Sequence, residues 1–335
     1  MKIWFNRGLS NTYDALGIIR ASDTEGRIVM RATHSDPLSP VAVRADEFAV
    51  EPEPADTDGY VSWCLRHCLE HGVDVFVPQR RREAIGMHRS AFEAEGIHLS
   101  IMGTPRVMEM VGRKHELYEN LTGTDVPIPP YKVFRTLEEF DMAVIELRGQ
   151  APHLCVKPCV GIYGAGFRIL EDDGCELKRI LSGDTFRTSF AAFRSALAES
   201  TQDRDMMLMA YLPGVERSVD VLAHRGRVVR AVARVKVAGH QVLETVGPSI
   251  AIAAQLTERH GLDGVFNLQT REWNGVPYLL EINSRMSGGL VYSCMSGVAF
   301  PYWNLMLTAG MATPEDVPAP LPGVKVAAVQ GCIVI

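Results

Sequence analysis

The sequence lacks long hydrophobic runs: no stretch approaches the roughly 18 consecutive apolar residues that a membrane-spanning helix needs. It also lacks a run of five like charges, and its 34 basic and 40 acidic residues give a formal net charge of −6. A nucleic-acid-binding surface spread over the whole molecule is therefore not expected. The opening segment MKIWFNRGLS turns polar within a few residues, which argues against a signal peptide and favours a cytoplasmic protein.

The cysteines do not form the pattern of a disulfide framework or of a zinc site. There are seven, an odd number, and most stand in apolar surroundings, which is typical of reduced thiols. Cys64 and Cys68 share one face of a predicted helix, where they fit as small core residues. The pair in CVKPC has no second cysteine pair at zinc-ligand spacing, so no zinc is expected.

Two common glycine-rich nucleotide motifs are also missing. The pattern GxxxxGK[ST] is absent, and no GxGxxG follows the first predicted strand. An NAD-type oxidoreductase is therefore disfavoured, although the first part of the chain predicts alternating strands and helices.

Three zones follow one another along the chain. Residues 1–112 predict a parallel sheet with helices on its faces, and the clearest unit is TDGYVSWCLRHCLEHGVDVFVP. In this unit Thr57 or Asp58 is the expected helix cap, Gly72 ends the helix, and VDVFV is a buried strand. The expected apolar face of that helix comprises Val61, Cys64, Leu65, Cys68 and Leu69.

The second and third zones differ from the first in their predicted strands. Residues 113–212 contain a strand-turn-strand segment, HLCVKPCVGIYGAGFRIL, with a glycine-rich turn. Residues 213–335 predict a mostly antiparallel sheet with helices over SIAIAAQLTERHG, ended by Gly261, and over PYWNLMLTAG. The sequence thus predicts an α/β first domain followed by α+β parts.

The segment GVFNLQTREWNGVPYLLEINSR predicts a β-hairpin, because Asn274-Gly275 separates two strand-like runs. Alternation places Asn267 and Gln269 on the polar side of one strand, and Glu281 and Asn283 on the polar side of the other. A two-residue loop would point the two polar sets to opposite sides. We therefore predict a three-residue loop, residues 273–275, which pairs Asn267 with Glu281.

One carboxylate and two or three amides gathered in this way are the oxygen donors that Mg²⁺ accepts, together with water and phosphate oxygens. A solvated strand face with no function is the alternative. Beyond the strand, Arg285 and the backbone of residues 287–289 supply a cation and N–H donors, as an anionic substrate requires.

Lys157 precedes the glycine-rich turn with Gly161, Gly164 and Gly166, and a lysine beside such a loop can clamp phosphates. An ordinary glycine hairpin with a surface lysine is the alternative. Arg234 and Lys236 lie two residues apart on a predicted strand and face one way. They can hold a phosphate or an acceptor carboxylate, or simply form a solvated strand face.

Five motifs together resemble a known family. GRKHELYENL, CVKPCVGIYGAG, AYLPGVERSVDV, FNLQ and LLEINSRMSGG occur in the order and spacing of the ATP-grasp ligase superfamily, with particular similarity to its carbamoyl-phosphate synthetase and carboxylate-amine ligase branch. The resemblance covers nearly the whole chain. It implies an ATP-grasp fold, with a pre-ATP-grasp, Rossmann-like domain at 1–112, an ATP-grasp N-terminal part at 113–212 and a C-terminal part at 213–335.

The resemblance also implies a role for each matched residue. Lys114 and Lys157 would bind ATP phosphates, residues 161–166 would close as a lid, and Glu216 would bind the ribose. Arg285 would steady the transferred phosphoryl group. The adenine-binding hinge matches Met209, Ala210, Tyr211 and Leu212, and the ligands of Mg²⁺, with Mn²⁺ as the alternative metal, match Gln269, Glu281 and Asn283.

The chain departs from the family pattern at three places. Met209 and Ala210 stand in the hinge where relatives carry a polar or acidic residue, Arg113 replaces a frequent Asp, and Ser284 replaces a frequent Pro. The last two leave the charged groups in place, whereas the first affects the groups that would contact the nucleotide.

The implied activity is ATP-dependent ligation. The γ-phosphoryl group of Mg·ATP activates a small carboxylate as an acyl phosphate, which an amine or a thiol then attacks. Two rivals stay open: a small-molecule kinase on the same ATP site, and an ATP-sensing module without turnover. A homodimer is the family habit, and Arg7 and Ser10 are expected, by position, in the wall of the acceptor site.

Overall fold

The computed structural model describes residues 1–8, 11–53, 56–161, 164–201, 204–329 and 331–334. The chain forms two compact units, each assembled from segments that are distant in sequence. Unit 1 comprises residues 1–109, 216–269 and 282–335, and unit 2 comprises residues 110–215 and 270–281. The division into three consecutive domains stays a prediction beside this arrangement.

The first hundred residues form a parallel sheet, as the sequence predicts. Its strands are β1 (Lys2–Phe5), β2 (Val29–His34), β3 (Glu47–Val50), β4 (Val75–Val77) and β5 (His98–Leu99), and the helices of this region are α1 (Asn11–Ser22), α2 (Thr57–His71), α3 (Arg82–Met87), α4 (Arg89–Ala94) and α5 (Pro105–Gly112), with a 3₁₀ turn at Pro40–Val43. The order is β3-β2-β1-β4-β5, and every neighbouring pair is parallel.

Helix α2 begins one residue earlier than predicted. Its N-cap is Asp56, in an extended conformation, whose carboxylate accepts a hydrogen bond of 2.7 Å from the Gly59 N–H. The expected caps Thr57 and Asp58 lie inside the helix, because the extended backbone that a cap needs occurs at residue 56. The predicted end is confirmed: Gly72 is left-handed, with φ 61°.

The buried face of α2 also differs in part from the prediction. Leu69 is exposed, whereas His67 is buried. The His67 ring packs between Trp4 and Trp63, with centroid distances of 4.4 and 5.0 Å. It also accepts a hydrogen bond of 2.9 Å from Arg31 Nε. These contacts bury a polar side chain of α2 that was expected outside the core.

Unit 2 holds a second five-stranded sheet with helices packed on it. Its elements are α6 (Lys114–Leu121), β6 (Tyr131–Phe134), α7 (Leu137–Arg148), β7 (Leu154–Pro158), β8 (Arg168–Glu171), α8 (Glu176–Ser182), β9 (Arg187–Ser189), α9 (Phe190–Glu199) and β10 (Met206–Ala210). The order is β6-β10-β7-β8-β9. Strands β7 and β8 are antiparallel, which confirms the predicted strand-turn-strand segment.

The last part of the chain forms a six-stranded sheet with antiparallel neighbours. Its elements are β11 (Glu216–His224), β12 (Arg227–Val237), β13 (His240–Glu244), α10 (Pro248–His260), β14 (Gly264–Trp273), β15 (Val276–Asn283), α11 (Leu290–Cys294), α12 (Phe300–Thr308) and β16 (Lys325–Val326), with a 3₁₀ turn at Pro314–Asp316. The order is β15-β14-β11-β12-β13-β16. Both predicted helices are present, and Gly261, with φ 59°, ends α10.

The β14–β15 hairpin corrects a prediction. Its loop has two residues, Asn274 and Gly275, with φ of 51° and 79°. Two successive positive φ values define a type I′ turn, whose twist matches that of the flanking strands and which Asn-Gly favours. The predicted three-residue loop is wrong, because Trp273 belongs to β14 and its ring packs 5.7 Å from that of Tyr278. A two-residue loop does not give the register that was expected to pair Asn267 with Glu281.

All seven cysteines are free thiols, as the sequence predicts. Across the described ranges, no cluster of three or more His, Cys, Asp or Glu side chains is placed to hold a metal ion. A helix with the length and apolar character needed to cross a membrane is likewise not found in the described part of the chain.

Candidate functional site

Lys157 lies near the end of β7, where the strand is flanked on one side by β10 and faces Met207 across the pair. Its Nζ donates a hydrogen bond of 3.2 Å to the carbonyl oxygen of Leu280 and lies 5.7 Å from the centre of the Tyr118 ring. The Tyr118 hydroxyl donates to the carbonyls of Leu279 and Leu280, at 3.0 Å each. The ammonium is thus held by a carbonyl and an aromatic face.

The charge of Lys157 is poorly compensated. Burial, together with the smaller effect of the nearby Lys114, lowers the pKa of its ammonium to about 8, although Glu281 acts in the opposite direction. Within the described part of the chain, Lys157 forms no ion pair of 4 Å or less. An anion placed beside this ammonium would therefore stabilise it.

Lys114 opens α6 and is almost fully buried. Its backbone N–H donates to the Cys159 carbonyl at 3.0 Å. Its Nζ donates to the Gly161 carbonyl at 3.0 Å and forms an ion pair with Glu281 at 3.5 Å. Four predicted site residues, Lys114, Lys157, Gly161 and Glu281, thus lie together within unit 2.

The glycine-rich loop owes its path to two of its glycines. Gly164 and Gly166 are left-handed, with φ of 68° and 80°. A Cβ at Gly166 would lie 2.8 Å from Pro158 Cγ, so only glycine lets the loop pass there. Residues 162 and 163 lie outside the described residues, and the closing of this loop as a lid stays a prediction.

The predicted adenine hinge is ordinary sheet and sheet-end backbone in this structure. Met209, Ala210 and Leu212 are buried. The N–H of Ala210 donates to the Pro130 carbonyl and that of Tyr211 to the His153 carbonyl, at 2.9 Å each. These two N–H groups are therefore used within unit 2, and the contact of this segment with a base stays a prediction.

Unit 1 carries the remaining predicted residues. Glu216 begins β11 and lies 3.8 Å from the Nζ of Lys236, whose side chain is 69% exposed. Gln269 in β14 and Asn283 at the end of β15 are half-buried. The Asn283 carbonyl accepts a bond of 2.7 Å from the Arg285 N–H, and Arg285 Nη1 donates to the Met286 carbonyl at 3.1 Å.

Arg234 is the predicted residue with the most complete set of partners. It is 5% exposed, and its guanidinium donates from Nε to Asp220 at 2.9 Å, from Nη1 to Gln241 at 3.2 Å, and from Nη2 to Ser218 and Ser287 at 2.9 and 3.0 Å. With all three nitrogens engaged, Arg234 fixes the segment that follows β15. Its catalytic role stays a prediction.

Asp220 is the centre of this network, which we call the Asp220 network: Ser218, Asp220, Arg234, Asn267, Ser287 and Ser293. The Asp220 carboxylate is fully buried and accepts four hydrogen bonds. The donors are Arg234 Nε at 2.9 Å, Asn267 Nδ2 at 2.8 Å, Ser287 Oγ at 2.7 Å and Ser293 Oγ at 2.6 Å. Sequence reasoning missed Asp220, although Ser218 and Asp220 alternate in the otherwise apolar strand ERSVDVLAH.

The second glycine of SGG has a structural explanation. A Cβ at Gly289 would lie 2.2 Å from Arg234 Nη1, so a side chain at 289 would displace the guanidinium. A Cβ at Gly288 would meet no atom within 4 Å. Of the pair, Gly289 is the position where the close approach of Arg234 requires glycine.

The predicted metal ligands can be compared with what a cation needs. Gln269, Glu281 and Asn283 provide one carboxylate and two amide oxygens, which are hard donors of the type that Mg²⁺ accepts. Glu281 faces Lys114 in unit 2, whereas Gln269 and Asn283 belong to unit 1. The donor set fits the ion by its chemistry, and the assignment of the three as ligands stays a prediction.

Comparison with known proteins agrees with the resemblance in the motifs. Residues 202–332 match the family described as ATP-grasp in the biosynthetic pathway with Ter operon. No curated protein matches the chain significantly by sequence.

Solved structures are similar along nearly the whole chain. The biotin carboxylase domain of 2-oxoglutarate carboxylase from Hydrogenobacter thermophilus has a TM-score of 0.63 at 20% identity, over 94% of this chain and 72% of that one. N5-carboxyaminoimidazole synthetase from Staphylococcus aureus has a TM-score of 0.65 at 12% identity, over 95% and 79%. The L-amino acid ligase from Bacillus licheniformis has a TM-score of 0.60 at 14% identity, over 92% and 74%.

At these identities the structural likeness establishes the fold, and the parallel sheet of residues 1–109 agrees with the predicted N-terminal domain. The match over residues 202–332 adds sequence support for the same assignment. The chain therefore has the ATP-grasp fold, as its five motifs predict, and residues 202–332 are similar in sequence to an ATP-grasp family.

Proposed function

We propose that the protein is an ATP-dependent ligase that activates a small carboxylate as an acyl phosphate for attack by an amine, with release of ADP and phosphate. The carboxylate and the amine are both small molecules in this proposal. Support comes from the ATP-grasp fold and from similar structures that are themselves ligases or carboxylases, including the L-amino acid ligase and the biotin carboxylase domain.

The observation that carries the proposal is the state of Lys157. Lys157 is half-buried, its ammonium has a pKa lowered to about 8, and it lies near the second cation Lys114, with Glu281 as the carboxylate in the cluster. Anionic phosphate oxygens would supply the missing negative charge and charge-assisted hydrogen bonds. Lys114 and Lys157 are therefore proposed to hold the nucleotide phosphates.

Further roles follow from the motif matches. Mg²⁺, held by Glu281, Gln269 and Asn283, would neutralise phosphate charge when bound, with Mn²⁺ as the alternative ion. Similar structures were solved with MgADP or ADP, including the biotin carboxylase domain and the S. aureus synthetase. Glu216 is proposed to bind the ribose and Arg285 to steady the acyl phosphate. The exposed ammonium of Lys236 is free of the sheet core and is proposed to contact phosphate or acceptor.

The chemical test is ADP release from Mg·ATP in the presence of pooled small carboxylates, amino acids and amines, with hydroxylamine as a trap. We expect ADP release to depend on a pool that contains the carboxylate and to be accompanied by a hydroxamate. ADP without hydroxamate would overturn the ligase proposal in favour of a kinase. Binding of Mg·ADP with no turnover in any pool would favour the sensing module instead. Lys157→Met is the matched inactive control.

Two further statements belong to the same proposal. We propose that the protein works in the cytoplasm, because the sequence predicts reduced cysteines there. We also propose a homodimer, since the H. thermophilus biotin carboxylase domain was solved as a dimer. Light scattering of the purified chain would give the mass of 36.9 kDa for a monomer or twice that for the dimer.

A further inference from the structure

A small cavity of about 20 Å³ lies within unit 1. Its lining includes Val77, the last residue of β4, and Ser100, which follows β5. The carboxyl ends of parallel strands are where open α/β sheets bind ligands. A volume of this size holds about one water-sized group, so the cavity can accept one end of a ligand but not a whole substrate.

The polar lining of this cavity is basic. Gln79, Arg82, Arg285 and Asn304 contribute to it. Its walls are held in place, since the Gln79 N–H donates to Asn6 Oδ1 at 2.5 Å and Asn304 Nδ2 donates to Ser100 Oγ at 2.6 Å. The cavity is thus a fixed feature with two guanidinium groups.

Arg82 is an incompletely bonded cation. Its Nη1 donates to the Gln79 carbonyl at 3.2 Å. Its Nε is buried and has no hydrogen-bond partner among the described residues. Among the described residues, no carboxylate lies within 4 Å of the Arg82 guanidinium. The neighbouring Arg80, in contrast, pairs with Glu53 at 2.9 Å. A buried donor of this kind is costly unless a ligand completes its bonding.

The pKa of Arg82 also indicates that its charge is poorly compensated. Burial lowers the pKa of its guanidinium, the charge of Arg285 lowers it further, and Glu83 acts against both. An anion beside Arg82 would offset both the burial of its charge and the repulsion from Arg285. The planar edge of a guanidinium that carries Nε can bond two oxygens of a carboxylate or a phosphate.

We propose that Arg82 binds an anionic oxygen group, a carboxylate or a phosphate, on a substrate of this protein, separate from the carboxylate that is activated. This inference rests on the proposed function and makes it narrower: the ligase substrate carries a second anionic group that fills the cavity of unit 1. Arg82 is then a specificity-determining residue.

The test uses the full chain and two probes, inorganic phosphate and succinate, titrated calorimetrically without nucleotide. The variants are Arg82→Gln, which removes the charge, and Arg82→Lys, which keeps the charge but loses the Nε donor. Arg106→Gln, an exposed arginine of α5 in the same unit, is the matched control. Lys157→Gln reports any probe that binds in unit 2 instead.

We expect at least one probe to bind the wild-type chain, and to bind Arg82→Gln about tenfold to hundredfold more weakly. Arg82→Lys should also weaken the binding, while Arg106→Gln should not. Binding that Lys157→Gln weakens and Arg82→Gln leaves unchanged is assigned to unit 2 and does not support the proposal. Whichever probe responds identifies the group as a phosphate or a carboxylate. No binding of either probe to the wild-type chain, or equal binding by Arg82→Gln, would overturn the proposal.

The outcome is independent of the ligase test, because no ATP is used. If a substrate has been found by hydroxamate trapping, Arg82→Gln should raise its KM at least about tenfold while the KM for ATP stays unchanged. A loss of stability alone would change neither the KM for the substrate nor the KM for ATP. Thermal unfolding of Arg82→Gln, expected at or above the wild-type temperature, shows that the variant is folded.

Discussion

Two cations, one in each unit, have opposite surroundings. Arg234 in unit 1 donates hydrogen bonds from all three of its nitrogens, and its charge faces the fully buried carboxylate of Asp220. Lys157 in unit 2 donates to a single carbonyl and has no carboxylate at ion-pair distance within the described chain. The first cation is neutralised within its own unit, whereas the second has no carboxylate within 4 Å among the described residues.

The contrast separates structure from binding. A buried ion pair with every hydrogen bond made holds a fold in one arrangement, although it adds little stability compared with a hydrophobic core. A buried cation without a counterion costs stability, and it recovers that cost when a ligand arrives. Predicted site residues of the same type therefore divide by their partners: Arg234 is bonded to the segment after β15, and Lys157 is the residue proposed to bind an anion.

The largest expected effect is on stability and comes from the Asp220 network. Asp220→Asn leaves the Arg234 charge buried without its carboxylate, and we expect a loss of about 3–5 kcal/mol in the free energy of unfolding. Urea unfolding at neutral pH measures it. Asp141, which pairs with Arg194 on the surface of unit 2, gives the matched control.

Asp141→Asn should lower the free energy of unfolding by no more than about 1 kcal/mol, because its ion pair is exposed to solvent and screened. If Asp220→Asn were equally mild, the Asp220 network would not neutralise Arg234 as the geometry indicates. The contrast between the two cations would then be lost.

The second-largest effect is a loss of nucleotide affinity, and it is accompanied by a gain in stability. Lys157→Met removes a charge-assisted contact with phosphate, so Mg·ADP should bind about tenfold to hundredfold more weakly. The same change removes a half-buried cation that has no carboxylate within 4 Å, so we expect the free energy of unfolding to rise by about 1–3 kcal/mol at pH 7. Calorimetric titration and urea unfolding give the two values.

Lys114→Met is the matched comparison, since Lys114 does have a carboxylate, Glu281, at 3.5 Å. Lys114→Met should also weaken the binding of Mg·ADP, but it should not raise the free energy of unfolding. Loss of stability in Lys157→Met would mean that its ammonium is already neutralised in the free protein, and the contrast with Arg234 would fail.

The sequence contains enough to predict where Lys157 lies but not what surrounds Arg234. The pattern of residues 154–166 gives a short strand, a lysine and a glycine turn, and each is local. The spacing of Arg234 and Lys236 gives only a shared side of the strand. That Asp220 lies beneath Arg234 depends on the pairing of β11 with β12, in which Asp220 opposes Val232. Such pairing is fixed by tertiary structure.

Local signals failed where several residues could serve equally well. Asp56, Thr57 and Asp58 are all good helix caps, and backbone conformation selects Asp56. Asn274-Gly275 fits a two-residue or a three-residue loop. The three-residue loop would bring the polar residues together, but the chain forms the two-residue loop. Three successive arginines, 80 to 82, are alike in sequence, yet among described atoms only Arg82 lines the small cavity of unit 1.

The smallest expected effect is the uptake of one proton when Mg·ADP binds. It tests the charge of Lys157 without a mutation. Its pKa, near 8 in the free protein, lies below the value of 10.5 that an exposed lysine has. Bound phosphate favours the charged form and raises the pKa, so Mg·ADP should bind with proton uptake at and above pH 8, and its affinity should fall by up to about tenfold per pH unit. Titrations in two buffers of different ionisation enthalpy count the proton.

Rising pH has the opposite effect on stability: the affinity for Mg·ADP falls, whereas the protein becomes more stable. Between pH 8 and 10.5 the unfolded chain holds a proton on Lys157 that the folded protein has lost, so the contribution of Lys157 to stability rises with pH across that window. Lys157→Arg keeps the charge but does not titrate there, and it should bind Mg·ADP with no buffer dependence from this position. Equal proton uptake by the wild-type chain and Lys157→Arg would assign the proton to another group, and Lys157 would then be as fully neutralised as Arg234.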